Sequence, residues 1–254
     1  DGELSVLDAT SVTLESRRHN VLVILADDVG TDKIGAYDEV LTAPPTPTLD
    51  ALAAQGVLFR NAWSSPVCSP SRAAMMTGRH ARRTGVGAVI RQDDEDYQLD
   101  HDEQTLPEAL SVAGYTSAVA GKWHLSGYLS EDVGEHPLNA GFVAHRGSLT
   151  NLDASAGSAR GYYDWIKMDQ GVSSISTTYA TEDTVNDALL MMEALPEPWF
   201  LFVSFNAAHS PFQPPPPRLI SCDCMASGPT YQVYDAMVEA MDHEIGRLLA
   251  GLGD

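Results

Sequence analysis

Cysteine is scarce in this chain, which excludes a fold held together by disulfides. Three cysteines occur in 254 residues, at positions 68, 222 and 224, and so few cannot form a disulfide framework. A single residue separates Cys222 from Cys224, a spacing too short for an easy bond between the two. We expect these two to be free or bonded elsewhere.

Positive charge is also scarce. The 15 Lys and Arg face 35 Asp and Glu, which gives a formal net charge of −20. Such a chain repels nucleic acid and anionic membrane surfaces at long range, so we expect no nucleic-acid partner. An uninterrupted apolar run of about 18 residues, the length of a membrane span, is absent. The sequence therefore predicts no transmembrane segment.

Three shorter apolar runs are present, and they predict the strands of a buried sheet. They cover residues 21–26, 116–120 and 200–205. Continuous apolar runs of this length are typical of parallel strands buried on both faces. Helical patterns alternate with them, at residues 47–55, 105–113, 178–194 and 231–249. The alternation predicts an α/β fold with a doubly wound, mostly parallel sheet and helices on both faces.

Polar residues follow each predicted strand. Asp27 and Asp28 follow the first, Lys122 and His124 the second, and His209 the third. Because ligands of open α/β sheets collect at the carboxyl ends of the strands, we expect these side chains to share one site.

Two long stretches fit neither the strand nor the helix pattern and are predicted as loops. Residues 91–103 are acidic and polar, as expected of a solvated loop. Residues 125–171 are rich in Gly, Ser and Asn with scattered aromatic residues, and a connection of this length is often functional. We expect the second stretch to line a substrate pocket.

The most specific motif is the dodecapeptide of residues 68–79, CSPSRAAMMTGR. Its core, Cys68-x-Pro70-x-Arg72, resembles the signature of the type I sulfatases, and the match extends to Arg79. The resemblance covers residues 20–249, where the acid pair at 27 and 28, the sequence GKWH at 121–124 and the sequence HSP at 209–211 match further family motifs in order. It implies an alkaline phosphatase-like fold and a sulfuric ester hydrolase.

The resemblance also implies a modified residue and a metal. Cys68 would be oxidised after synthesis to formylglycine, whose hydrated aldehyde supplies one hydroxyl to attack sulfur and a second to expel the bound sulfate. Asp27, Asp28 and the residue at 68 would hold one Ca²⁺, a hard cation that carboxylates suit. A predicted helix that begins just after Cys68 adds free N–H groups and partial positive charge, which favour an anion.

Catalytic roles follow from the same resemblance. Arg72 would hold the formylglycine diol, and Lys122 would bridge the diol and a sulfate oxygen. His124 would act as the base for the elimination. His209 would protonate the leaving oxygen, a task that suits a group titrating near neutrality. Arg79 receives no catalytic role, because the last arginine of the motif can serve to brace the loop.

The resemblance sets expectations for partners and organisation. The substrate would be a sulfated small molecule or glycan, and a formylglycine-generating or anaerobic sulfatase-maturating enzyme would modify Cys68. Family members of this kind are exported, to the periplasm, the extracellular space or the lysosome. Residues 1–19 would be an N-terminal extension and residues 20–254 a catalytic domain. The start at Asp1, without methionine or an apolar leader, fits a mature exported protein and a fragment equally well.

The sequence departs from the family pattern in its metal ligands. No Asp-Asn-Gly follows an apolar run, although sulfatases carry such a pair and a second sulfate-binding lysine. We therefore expect the catalytic domain to be incomplete at its C-terminus, with a companion C-terminal segment that supplies the remaining ligands. This segment would also contribute a strand to the sheet. Without that strand, an apolar edge of the sheet would be exposed.

Two alternative functions remain open at this point. A phosphonate or phosphate monoester hydrolase of the same superfamily would use the same residues, since some of these relatives also use formylglycine. A non-catalytic protein that binds sulfated glycans would explain the absent Asp-Asn pair. The intact Cys68-x-Pro70-x-Arg72 disfavours binding alone, because a binding protein has no use for a modification sequence.

The sequence predicts that residue 68 is formylglycine in the active protein. Peptide mass spectrometry across residues 68–79 of an active preparation should show the aldehyde in place of the thiol. A fully active preparation whose peptide carries only the unmodified thiol would refute this assignment.

Overall fold

The computed structural model describes residues 18–132, 134–152, 161–221 and 230–253. The expectations for Cys222 and Cys224, and for most of the N-terminal extension, lie outside the described residues.

A six-stranded sheet organises the described chain. Its strands are β1 Val21–Leu25, β2 Thr116–Gly121, β3 Ala144–Gly147, β4 Trp165–Asp169, β5 Val172–Ser176 and β6 Trp199–Ser204. The order across the sheet is β1-β6-β2-β3-β4-β5. The first four strands in that order run parallel. Strand β4 is antiparallel to β3, and β5 is antiparallel to β4. The predicted mostly parallel α/β sheet is confirmed.

Helices cover both faces of this sheet. They are α1 Pro47–Gln55, α2 Cys68–Thr77, α3 Ala81–Thr84, α4 Leu106–Val112, α5 His136–Asn139, α6 Ala180–Ala194 and α7 Thr230–Ala250. Successive side chains of β6 point to opposite faces, so Leu201 and Val203 pack with α6 and α7. Phe200 and Phe202 pack on the other face, with Ala73 of α2.

The N-terminus of α1 receives its cap from a distant helix. Pro47 begins α1 and Gly56 follows its last residue, as the sequence predicts. Thr46, however, makes no side-chain capping bond. The backbone N–H groups of Thr48 and Leu49 instead donate to the two carboxylate oxygens of Asp242 in α7, at 3.0 and 2.8 Å. A buried carboxylate that accepts two N–H groups at a helix N-terminus stabilises both the helix and the contact between α1 and α7.

The stretch 125–171 corrects the prediction of one long loop. It contains α5, β3 and β4, and the strands escape a pattern search because β3 is only four residues long and carries His and Arg. Residues 91–103 contain neither helix nor strand, as expected. Leu99 within them is nevertheless buried in the core beside α2, so this loop is packed at one point.

Strand β1 also differs from its prediction. Its apolar run predicts burial on both faces, whereas its residues are half-buried or exposed. The reason is its position, because β1 is the edge of the described sheet and pairs only with β6. Beside it lies an apolar groove of about 610 Å³ whose lining includes Leu22, Ile24, Leu52 and Met241.

None of the helices in the described ranges has both the length and the apolar character needed to traverse a bilayer.

The Asp242 cap predicts a stability difference between two acids on the same helix. We expect Asp242→Ala to lower the free energy of unfolding by about 2 kcal/mol, because two N–H groups of α1 lose a charged acceptor. Asp235→Ala is the matched control. Asp235 pairs with Lys33 at 2.9 Å in a partly exposed position, and its loss should cost below about 1 kcal/mol. Equal losses in urea denaturation would contradict the capping role.

Candidate active site

The predicted site residues lie at the carboxyl edge of the parallel strands. Asp27 and Asp28 follow β1, Lys122 follows β2, and His209 follows β6. The chain bends sharply after β1, because Asp28 adopts a left-handed conformation with φ 56°. The bend is therefore at Asp28 and does not use Gly30, whose φ is −84°. The backbone N–H of Asp27 donates to Ala207 O at 2.9 Å, which ties the β1 end to the loop after β6.

Asp27 is the centre of a buried ion cluster. One of its carboxylate oxygens, Oδ2, accepts from Arg72 Nη2 at 3.0 Å and also from Lys122 Nζ. Asp27, Arg72 and Lys122 are 4 %, 3 % and 0 % exposed. Arg72 also donates from Nη1 to Ser204 Oγ at 2.6 Å and to Lys122 O at 2.7 Å. Three parts of the fold (β1, β2 and α2) thus meet on one carboxylate.

The charges of this cluster shift its protonation equilibria. Burial alone would raise the pKa of Asp27, but the Lys122 ammonium and the Arg72 guanidinium outweigh burial and hold the pKa below its usual value. Burial, followed by repulsion from Arg72, lowers the pKa of Lys122 despite the attraction of Asp27. With Asp27 ionised and both cations charged, the cluster has one positive charge in excess.

Gly121 is required for Lys122 to reach this position. Its φ is +97°, and a Cβ added there would lie 2.0 Å from the carbonyl oxygen of Ser204. The backbone N–H of Lys122 donates to that same oxygen at 2.7 Å. Only glycine allows such a close approach between β2 and β6 at the point where the chain leaves the sheet.

Cys68 lies beside His124 at the start of α2. Its Sγ atom is 3.1 Å from His124 Nδ1. Cys68 is the first residue of α2, and Val67 before it makes no side-chain capping bond, so the helix end is open toward the site. Burial, reinforced by the Lys122 and Arg72 cations, holds the pKa of His124 well below its usual range. His124 is therefore a neutral imidazole facing residue 68.

His209 lies on the opposite side of the acid pair. Its Nε2 is 3.5 Å from Asp28 Oδ2, and its Nδ1 is 2.8 Å from Ser210 O. A carbonyl oxygen only accepts, so Nδ1 carries the proton of this bond. The hydroxyl of Tyr162 lies 2.7 Å from both Asn206 O and His209 O and fixes the loop that carries His209.

A cavity of about 530 Å³ connects these groups. Its lining includes Asp27, Asp28, Cys68 and Arg72, and the contacts given above join Lys122, His124 and His209 to these four. The structure thus brings together all seven side chains that the sequence predicts in the site. Arg79 lies beyond the far end of α2, partly exposed and bonded to Glu103 at 2.5 Å.

Some residues of the site escape sequence reasoning. Asn151 accepts through Oδ1 from Lys122 Nζ, and Ser204 accepts from Arg72. A lysine ammonium has three N–H donors, so Asp27 and Asn151 together use two of them. Asn151 lies in a Gly- and Ser-rich stretch without a distinguishing pattern. Ser204 could have been noticed as the polar last residue of a buried strand.

The described residues supply only part of a metal shell. Two carboxylates that line one cavity match the chemistry of a hard cation. Asp27, Asp28 and Cys68 do not, however, bring three ligand atoms within 4.8 Å of one another. Among the described residues His101, Asp132 and His136 do. Both ring nitrogens of His136 are already bonded, to Trp123 Nε1 at 3.1 Å and to Leu99 O at 2.8 Å, so that group has no free lone pair from His136.

Comparisons with known proteins agree with the fold and identify the family. Residues 19–254 match the Sulfatase family. Dog N-acetylgalactosamine-6-sulfatase is 32% identical over 92% of this chain and 47% of its own length. Human steryl-sulfatase is 40% identical over 53% of this chain and 24% of its own length. The crystal structure of the PsFucS1 sulfatase from Pseudoalteromonas sp. superposes with a TM-score of 0.70 at 28% identity, over 93% of this chain and 52% of that one.

The sheet and its helices therefore define an alkaline phosphatase-like α/β protein. The chain belongs to the sulfatase family. It spans about half the length of the N-acetylgalactosamine-6-sulfatase that it matches.

The ion cluster predicts unequal effects for the same substitution at adjacent positions. Asp27→Asn leaves two buried cations without their carboxylate, and we expect it to lower the free energy of unfolding by about 3 kcal/mol. Asp28→Asn is the control. Its side chain is 62 % exposed, so we expect a loss below about 0.5 kcal/mol.

A double-variant cycle separates the cluster from general packing. Lys122→Met should cost less in the Asp27→Asn background than in the unchanged protein, since its partner is already gone, with a coupling free energy of at least about 1 kcal/mol. Additive losses in urea denaturation would show that the two side chains do not depend on each other.

Proposed function

We propose that the protein carrying this chain hydrolyses sulfate monoesters through a nucleophile at residue 68. The observation that carries the proposal is the contact between Cys68 Sγ and His124 Nδ1 at 3.1 Å, beside the excess positive charge of Lys122 and Arg72. Sulfate ester cleavage places negative charge on sulfonyl oxygens and on the leaving oxygen. Fixed cations in a water-poor site are the groups that stabilise such charge.

We propose that residue 68 attacks an anionic ester. The Sγ atom of Cys68 stands in for an oxygen of the formylglycine that we propose at this position. The open N-terminus of α2 adds free backbone N–H groups and a partial positive charge at the same point. When present, the hydrated aldehyde supplies two hydroxyl groups, one for attack and one for the later release of sulfate.

The chain's own residues hold and move protons around residue 68. His124 Nδ1 is within reach of a hydroxyl proton on that residue and can accept it. Arg72 and Lys122 hold negative charge near residue 68, and Lys122 keeps one N–H donor for a sulfate oxygen. His209 Nε2 lies 3.5 Å from Asp28 Oδ2. In the imidazolium form of His209, which carries a proton on Nε2 as well as on Nδ1, the Nε2 proton can pass to the leaving oxygen.

Asp27 and Asp28, with residue 68, would hold Ca²⁺ in the proposed site. The cation would oppose the charge that develops on the sulfonyl oxygens. A hard cation takes about six to eight oxygen ligands, which is more than these residues offer. The proposal therefore includes further ligands from a companion C-terminal segment of the longer protein, and it predicts weak calcium binding by the 254-residue chain alone.

We also propose the domain organisation, substrate class, maturation and export of this protein. Residues 20–254 are proposed as the catalytic domain, with residues 1–19 as an extension. The curated relatives bear the names of sulfatases for a sugar and for a sterol, which supports a sulfated small molecule or glycan as substrate. We propose modification of Cys68 by a formylglycine-generating or anaerobic sulfatase-maturating enzyme, and export from the cytoplasm.

Replacement of the nucleophile tests the proposal. In the full-length protein, Cys68→Ala should abolish turnover of an aryl sulfate. Cys68→Ser should be able to attack sulfur once but lacks the second hydroxyl that releases the sulfate. We expect its intact mass to gain one SO₃ unit after incubation with substrate, since the serine oxygen becomes the bridging oxygen of the ester and the alcohol leaves, with no further turnover. Full turnover by either variant would remove residue 68 from the mechanism.

The choice of ester distinguishes the proposal from its nearest alternative. The unchanged full-length protein should turn over an aryl sulfate faster than the matching aryl phosphonate, with and without added calcium. A preference for the phosphonate would assign the same residues to a phosphonate hydrolase. Sulfated-glycan binding without turnover of any ester would assign the chain to a binding protein.

A further inference from the structure

A closed set of contacts surrounds the imidazole of His124. Its Nδ1 faces Cys68 Sγ at 3.1 Å, and its Nε2 lies 2.9 Å from the carbonyl oxygen of Ile90. Ser69, the next residue after Cys68, accepts the backbone N–H of Ile90 on its hydroxyl oxygen at 3.1 Å. Cys68 therefore contacts the His124 ring directly on its Nδ1 side. Ser69, the next residue of α2, is connected to the Nε2 side of the ring through Ile90.

The Ile90 contact determines the tautomer of His124. A carbonyl oxygen only accepts, so the neutral ring must carry its proton on Nε2. The lone pair is then on Nδ1, the atom that faces residue 68. The opposite tautomer would place a proton on Nδ1 and lose the bond to Ile90. His124 can accept a proton from residue 68 only in the Nε2–H tautomer.

Burial limits what can replace the bond between Ser69 and Ile90. Ser69 and Ile90 are both 0% exposed, and His124 is 1% exposed. Water cannot readily replace a lost partner at such positions. Ile90 is buried in the core, and its carbonyl belongs to the peptide unit whose N–H, on Arg91, donates to Asp94 Oδ2 at 2.6 Å. The Ser69 bond holds the N–H on the other side of Ile90, in the stretch 85–105, which has no helix or strand.

We propose that Ser69 is a positioning residue, whose hydroxyl holds the backbone N–H of Ile90 so that the carbonyl of the same residue keeps the His124 proton on Nε2 and the Nδ1 lone pair faces residue 68. The inference rests on the proposed role of His124 as a base. The proton of a hydroxyl on residue 68 goes to Nδ1, and its electron pair stays on oxygen. Ser69 touches neither the substrate nor the reacting atoms.

The tautomer can be measured without catalysis. The 254-residue chain, labelled with ¹⁵N in its eight histidines, gives long-range ¹H–¹⁵N correlations that distinguish Nε2–H from Nδ1–H rings. His124→Gln identifies the signal. At pH 7.5 we expect His124 to be wholly the Nε2–H tautomer in the unchanged chain. A His124 in the Nδ1–H form would overturn the proposal, whatever the variants do.

The variants isolate the hydroxyl of Ser69. Ser69→Ala should produce a mixture of tautomers, and Ser69→Thr, which keeps a hydroxyl, should restore the Nε2–H form. Ser71→Ala is the matched control in the same helix turn, because Ser71 Oγ bonds to Ser65 O and Val67 O. All three leave Cys68-x-Pro70-x-Arg72 intact. An Nε2–H signal unchanged in Ser69→Ala would overturn the proposal.

Kinetics of the full-length protein give a second readout. Ser69→Ala should lower kcat by about 10- to 100-fold, the usual effect of removing a group that orients a catalytic residue, while KM stays within about twofold. A change confined to KM would contradict a positioning role. If the tautomers are as expected but the full-length protein has no sulfatase turnover, the proposed function is refuted and the positioning of His124 by Ser69 still stands.

Discussion

The buried carboxylate of Asp27 is the interaction on which the site depends. It bonds to Arg72 from α2 and to Lys122 from the end of β2, while its own backbone N–H bonds to the loop after β6. Each of these elements carries another functional side chain. Fixing three elements on one carboxylate also fixes the distances between Cys68, His124 and His209, which no short-range sequence signal controls.

The same carboxylate holds two buried cations within an acidic chain, beside the cavity that we propose receives a sulfate ester. The chain has a formal net charge of −20, and its long-range field opposes sulfate esters. Within the site, Arg72 and Lys122 are shielded from solvent by burial, as is Asp27, whereas the side chain of Asp28 is 62 % exposed. Charges in such surroundings act more strongly at short range than surface charges do. We therefore expect the two buried cations to act on the proposed ester only at short range, once it is inside the cavity.

Much of this fold and site follows from local sequence, and the parts that do not are tertiary in origin. Pro47 and Gly56 fix the ends of α1, but the cap comes from Asp242, almost two hundred positions away. The run before Asp27 predicts a strand correctly, yet burial on both faces fails because β1 is an edge. The site side chains could be identified because they follow strands or belong to motifs. Asn151 and the Ile90 carbonyl could not, since their roles arise only when distant loops meet.

The central claim is that the cavity lined by Asp28, Cys68 and Arg72 receives the sulfate group of the proposed substrate. A crystal structure of the full-length protein with selenate, whose anomalous scattering marks the anion, tests this most directly. We expect one strong anomalous peak in that cavity, in contact with residue 68 and within reach of Lys122 and His209. Selenate bound only elsewhere on the protein, with this cavity filled by water, would contradict the assignment of the site.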